Sequence, residues 1–234
     1  LFNMYINDLF FLIDNTDVCN YADDTTLHTC DIKLNLLMEK LECDAKIAID
    51  WFGYNNMKLN PDKCHILICG HKHEIMIGNI GNSTVIESHK VKLLGIDIDS
   101  DLKFEDHINS ICRKAAKKLN ALSRQCNILA FHRRKTLMHA FFNSQFSYCP
   151  LVWMFCSRKL NTKINNLQYR ALQIIYRDDI STFHDLLHRD GSITIHYRNV
   201  RLLAIEIFKV VKKLAPSFMS DIFVPNINTN IENV

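Results

Sequence analysis

The chain has 234 residues, of which 48% are hydrophobic and 23% charged, with a net charge of +3. That supplies enough apolar surface for one or two cored domains and too much for a disordered chain. The run Leu9-Phe10-Phe11-Leu12-Ile13 follows Asn7 and Asp8 with no basic segment before it, and eighteen apolar residues never run uninterrupted. Neither a signal peptide nor a membrane span is expected.

The sequence opens at Leu1 with an apolar segment already under way, so it reads as a chain entered mid-protein. Nine cysteines are scattered with no Cys-x-x-Cys pair, which suggests reduced, mostly buried thiols of an intracellular protein, nuclear or cytoplasmic. The small net charge hides an asymmetry. Residues 1–100 hold eight Lys, no Arg and fifteen Asp or Glu, a net −7; residues 101–234 hold twenty Lys or Arg and ten acids, a net +10. An acidic half joined to a basic half suits a protein that holds cations in one place and polyanions in another. Drift in surface charge gives the same totals, so charge alone does not decide.

Tyr5 to Phe11 continues the opening apolar segment. Asp17–Tyr21 and Thr25–Cys30 are short β-prone runs around Ala22-Asp23-Asp24, which predicts a hairpin with an acidic tip. Leu37, Met38, Leu41, Ala45, Ala48 and Phe52 fall at helical spacing, and Gly53, Asn55 and Asn56 end that helix. A turn at 58–62 leads to a strand predicted over Cys64–Cys69, then to β-prone runs at Thr84–Ile86 and Val91–Ile98. After Asp101 the character changes. Phe104, Ile108, Ile111, Cys112, Ala115, Leu119 and Leu122 mark a helix whose other face carries Arg113, Lys114, Lys117, Lys118 and Arg124. Further helices are predicted at Arg134–Phe146, Lys159–Tyr176, around Phe183–Leu187 and at Val200–Leu214. The architecture is α+β to about residue 100 and helical beyond it.

Two adjacent carboxylates at a hairpin tip suit a divalent cation, because Mg²⁺ takes carboxylate oxygens and fills its other positions with water or phosphate. A bare Asp-Asp is also a favourable turn pair. The surroundings distinguish the two. Leu1 to Leu9 precedes the Tyr21-Ala22-Asp23-Asp24 turn. Asn60-Pro61-Asp62-Lys63, Leu94-Gly95-Ile96, His107-Ile108, Tyr148 to Trp153 and Leu167 to Leu172 follow it in order. This series resembles the reverse transcriptases of non-LTR retrotransposons over almost the whole chain. Group II intron maturases and telomerase-like proteins share the Tyr-Ala-Asp-Asp turn, but their downstream motifs differ.

The resemblance implies an α+β partial polymerase palm over residues 1–100, an all-helical thumb over 101–220, and a tail at 221–234. It implies that Asp23 is the main Mg²⁺ ligand and Asp24 the secondary one, with Tyr21 beside the primer end. Lys63 would lie near the phosphates of an incoming dNTP, unless it is a surface turn lysine. Gly95 would let backbone approach the primer, unless it is a bulge glycine. Arg113, Lys114, Lys117 and Lys118 would contact nucleic acid, the partners being an RNA template and a DNA primer, with no membrane. Family members supply a further catalytic aspartate from a strand before Leu1, and fingers as well. Without them this chain is expected to be inactive alone. The alternative is a non-catalytic, nucleic-acid-binding remnant of a mobile element.

Other groupings carry less. Cys64, Cys69, His71 and His73 fit no usual zinc spacing. His132, Arg133, Arg134 and Lys135 read as a phosphate contact or a solvated helix start. Trp153 and Phe155 read as core rather than stacking platforms.

Overall fold

A computed structural model describes residues 2–70, 74–80 and 83–223. The chain divides into two compact units, Leu1–Leu102 and Lys103–Val234.

In the first unit α1 (Phe2–Tyr5) runs into a 3₁₀ turn, Ile6–Phe11. Strands β1 (Asp17–Tyr21) and β2 (Asp24–His28) pair antiparallel, and α2 (Leu34–Tyr54) follows. Ala48 and Trp51 of α2 join Ile6, Leu9 and Ile13 in a core on which the cross-strand pair Val18 and Leu27 packs. Each fully buried Leu or Ile of this kind contributes roughly 1.5–3 kcal/mol, so the hairpin is held by its inner face against α2. Two more hairpins complete the unit: β3 (Ile77–Ile80) with β4 (Ser83–Ile86), and β5 (Lys90–Leu93) with β6 (Ile96–Asp99).

Three expectations change here. The segment Cys64–Cys69 is not a strand: it makes one parallel bridge, Ile66 with Glu87, and has no ladder partner along its length. Val91–Ile98 is two strands, because Leu94 (φ +45°) and Gly95 (φ +85°) turn the chain back on itself. The Ile77–Ile80 strand was not expected; Gly78 packs it so closely that an added Cβ would meet Ile66 and Met38 of α2.

The second unit is helical: α3 (Glu105–Gln125), α4 (Phe131–Phe141), α5 (Pro150–Trp153), α6 (Arg158–Tyr176), α7 (Phe183–Asp190), α8 (Ile195–Val211) and α9 (Met219–Ile222). Its core joins the apolar stripes of α3 and α6 to Met138, Phe142, Phe146 and Trp153. The Trp153 indole donates to the Tyr148 carbonyl at 3.2 Å and its ring stands edge-on to Phe146. Trp153 is core as expected, whereas Phe155 is 77% exposed. The Arg134–Phe146 helix starts three residues earlier and passes into a 3₁₀ turn at Asn143–Phe146. The expected tail begins inside α9, and residues 224–234 lie outside the described residues. The thiols depart from expectation too. Cys112 is buried and its thiol is pushed up to about 11 by desolvation, while Cys19, Cys30, Cys43, Cys69 and Cys149 are exposed.

Asp190 ties α4, α6 and α7 together. Lys135 pairs with it at 2.9 Å and the Tyr176 hydroxyl donates to it at 2.9 Å. Burial pushes this carboxyl up, but hydrogen bonds from Lys135 and Tyr176 outweigh that and leave it below its ordinary value. A carboxylate held low stabilises the fold above the unfolded value of about 3.9, and that contribution is lost as pH falls through the folded value. Thermal melts of the chain should therefore weaken below about pH 4. Asp190→Asn should cost about 1 kcal/mol at pH 7 and flatten the acid limb. An acid limb of unchanged depth in Asp190→Asn would assign it to other carboxylates.

Candidate metal-binding hairpin and basic helices

The pair Tyr21↔Asp24 closes β1 and β2 around a two-residue loop, Ala22-Asp23. Two-residue hairpin loops match the right-handed strand twist only with a positive φ in the loop, and Ala22 supplies it at +54°. Alanine in that region costs about 1 kcal/mol, a local strain of the kind found at functional turns. The turn also solves a geometric problem: successive residues of a straight strand face opposite ways, whereas Asp23 lies in the loop and Asp24 opens β2. Both aspartates are exposed, as is Tyr21 at 68%. The predicted hairpin tip is where the structure places them, with α2 behind the same two strands.

The hairpin is anchored at its other end. Asp44, on the inner stripe of α2, is fully buried and accepts from the Asn15 amide nitrogen at 2.9 Å and from Asn15 Nδ2 at 2.8 Å. Asn15 lies two residues before β1, so this clamp sets where the strand starts.

Lys63 ends a 3₁₀ turn, Pro61–Lys63, capped by the Asn60 side chain accepting from the Asp62 amide at 3.1 Å, and it is exposed. Gly95 is the second residue of the β5–β6 loop. With both loop residues at positive φ, the turn itself accounts for glycine there. On α3, Arg113, Lys114, Lys117 and Arg124 are exposed and Lys118 is half-buried, while Ile108, Ile111, Cys112, Ala115, Leu119 and Leu122 fill the core.

Residues 1–98 match the family model for reverse transcriptase (RNA-dependent DNA polymerase). That stretch is similar to reverse transcriptases. An RNA-directed DNA polymerase from the mobile element jockey of Drosophila funebris is 26% identical over 166 residues, which cover 68% of this chain and 18% of that relative. The chain thus resembles the reverse transcriptases of non-LTR retrotransposons, as its motif series implied. It spans about 18% of the relative's length. No solved structure matches it.

The donor set of the segment that matches reverse transcriptases fits a hard divalent cation in kind but is short in number. Asp23 and Asp24 offer carboxylate oxygens, yet among the described residues no three His, Cys, Asp or Glu side chains gather around one point. His71 and His73, weighed with Cys64 and Cys69 for zinc, lie outside the described residues. Among the described residues no helix is long and apolar enough to cross a membrane. The basic cluster at 132–135 divides. Arg134 is buried and donates to the Cys126 and Leu129 carbonyls, and Lys135 pairs with Asp190, so only His132 and Arg133 stay exposed. Sequence reasoning missed Asp44, whose signal is a carboxylate on an apolar helical stripe. It also missed Lys163 and Arg170, seven residues apart on a helix without acids.

Proposed function

We propose that this chain is the palm end and thumb of an RNA-directed DNA polymerase of a non-LTR retrotransposon, residues 1–100 forming the partial palm and 101–220 the thumb. The single observation that carries the reading is the exposed Asp23-Asp24 pair at a strained two-residue hairpin tip, inside the segment that matches reverse transcriptases. Asp23 and Asp24 would hold Mg²⁺, which in phosphoryl transfer stabilises the attacking and leaving oxygens. Tyr21, beside the aspartates, presents an exposed ring against which the primer end can rest. Lys63 offers a fixed positive charge toward the phosphates of a dNTP, where it would offset charge developing in the transition state. Gly95 keeps the β5–β6 turn free of side chain where backbone meets the primer. Arg113, Lys114, Lys117 and Lys118 hold the phosphates of the primer–template duplex, a contact that carries no sequence information and so permits sliding.

Two carboxylates without a third ligand bind Mg²⁺ weakly and position it poorly. The purified chain should therefore show no primer extension with Mg²⁺ and dNTPs on an RNA template with a DNA primer. Joined to a compatible upstream half carrying the remaining aspartate and the fingers, it should extend the primer. Extension by the chain alone would show that the missing ligand is not needed. Failure of well-folded joined proteins to extend would favour the alternative, a nucleic-acid-binding remnant without catalysis.

A further inference from the structure

Two hydrogen bonds tie α6 to α3 in the same way. Lys163 Nζ donates to Asn109 Oδ1 at 2.7 Å, and an Arg170 guanidinium N–H donates to Asn120 Oδ1 at 2.7 Å. The two α6 cations are about two helical turns apart and the two asparagines about three, so both pairs recur on one face of each helix. An open groove of about 460 Å³ is lined by Lys117, Asn120, Ser123, Arg124 and Arg170.

The chemistry of that seam is one-sided. A carboxylate would hold Lys163 or Arg170 and cancel its charge, whereas an asparagine oxygen holds it and leaves the charge free. α6 contains no acid, and α3 contains none after Glu105 and Asp106 in its first turn. Among the described residues, Lys117, Arg124, Lys163 and Arg170 have no carboxylate partner. At 3.6 residues per turn Arg113, Lys117 and Arg124 form one line on α3 beside Asn120, while Lys114 and Lys118 lie roughly 60–100° away on the side opposite Asn120.

We propose that the α3–α6 seam is the track for one phosphodiester strand of a nucleic acid, gripped by Lys117, Arg124, Lys163 and Arg170. Asn109 and Asn120 hold the two α6 cations in place. The proposal rests on the nucleic-acid-binding reading of the basic half and sharpens it, because it adds the α6 cations Lys163 and Arg170 to the α3 residues that hold the phosphates. Lys117 to Arg124 spans about 10 Å of helix, close to the rise of three nucleotides at about 3.4 Å each. The lining has no apolar side chain, and a peptide docking on helices takes most of its affinity from apolar anchors. A nucleic acid strand fits; an acidic peptide does not.

The test is a salt titration of a labelled primer–template duplex against the full 234-residue chain. Lys163→Gln with Arg170→Gln should flatten the dependence of log affinity on log salt by about two units, since each lost phosphate contact removes about 0.9. Lys212→Gln with Lys213→Gln, two exposed lysines at the C-terminal end of α8, should leave that slope nearly unchanged. Asn120→Ala, which alters no charge, should weaken binding several-fold with little change in slope. The substituted side chains are mostly exposed, so melting should hold. Should the α6 double variant fail to fold, Ser123→Asp, which touches neither asparagine pair, should weaken binding by placing a carboxylate in the groove. A wild-type slope in the α6 variant with intact duplex binding would overturn the seam and leave the broader reading standing. No duplex binding by the unmodified chain at low salt would overturn both. Displacement of the duplex by polyglutamate as readily as by unlabelled duplex would overturn the proposal in favour of an acidic protein partner.

Discussion

Asp23→Ala, in a polymerase made by joining this chain to a compatible upstream half, should lower the rate of primer extension by about 10³-fold or more. The size follows from what the carboxylate does in the proposed mechanism. It fixes a divalent cation where charge develops on the transferring phosphoryl group, and a single preorganised electrostatic partner of that kind is worth about 10²–10³. Loss of the cation's position adds a further penalty through misalignment of the attacking hydroxyl. Asp23 lies in the two-residue loop and is exposed, with no described hydrogen bond. Its removal should leave the melting temperature almost unchanged, which separates a catalytic defect from unfolding. Asp24→Ala should cost less, in keeping with a secondary ligand. The measurement is single-turnover extension of a labelled primer at saturating dNTP, with melts of each variant alongside. A near-normal kcat for Asp23→Ala would refute the assignment of this turn as the metal site.

Asp44→Ala should destabilise the first unit by about 3 kcal/mol, well above the cost of an ordinary surface change. The carboxylate is wholly buried and both its oxygens accept from Asn15. Truncation removes two hydrogen bonds to a charged carboxylate, each worth about 1.5–3 kcal/mol, and opens a small void beside α2. Asp44→Asn keeps the volume and one acceptor, so it should recover part of that loss. Because Asn15 leads into β1, a loosened clamp should also let the hairpin fray. Hydrogen exchange of the paired Cys19 and Thr26 amides should rise in Asp44→Ala more than exchange in α3, which belongs to the other unit. Equal unfolding free energies for Asp44→Ala and wild type would show that water replaces the carboxylate at no cost.

The sequence by itself determined the elements whose signal is local and repeated. The α3 stripe from Ile108 to Leu122 faces the core as its spacing predicted, because a 3.6-residue period survives in any fold that buries one helix face. The α2 helix, the acidic hairpin and the change from mixed to helical structure near residue 100 were legible for the same reason. So was the resemblance to reverse transcriptases, through an ordered run of motifs rather than any single one. What tertiary structure decided was every pairing between distant segments. Cys64–Cys69 has strand composition but no ladder partner, so composition misled. Leu94-Gly95 breaks one apparent strand into two through left-handed backbone that no side-chain pattern announces. Arg134 and Arg170 look alike as cations on polar helices. One is buried and spent on the Cys126 and Leu129 carbonyls, while the other is held by Asn120 with its charge free. Arg134 finds its acceptors five and eight residues back, in the turn before α4, whereas Arg170 finds Asn120 fifty residues away, a separation about which sequence spacing carries no information.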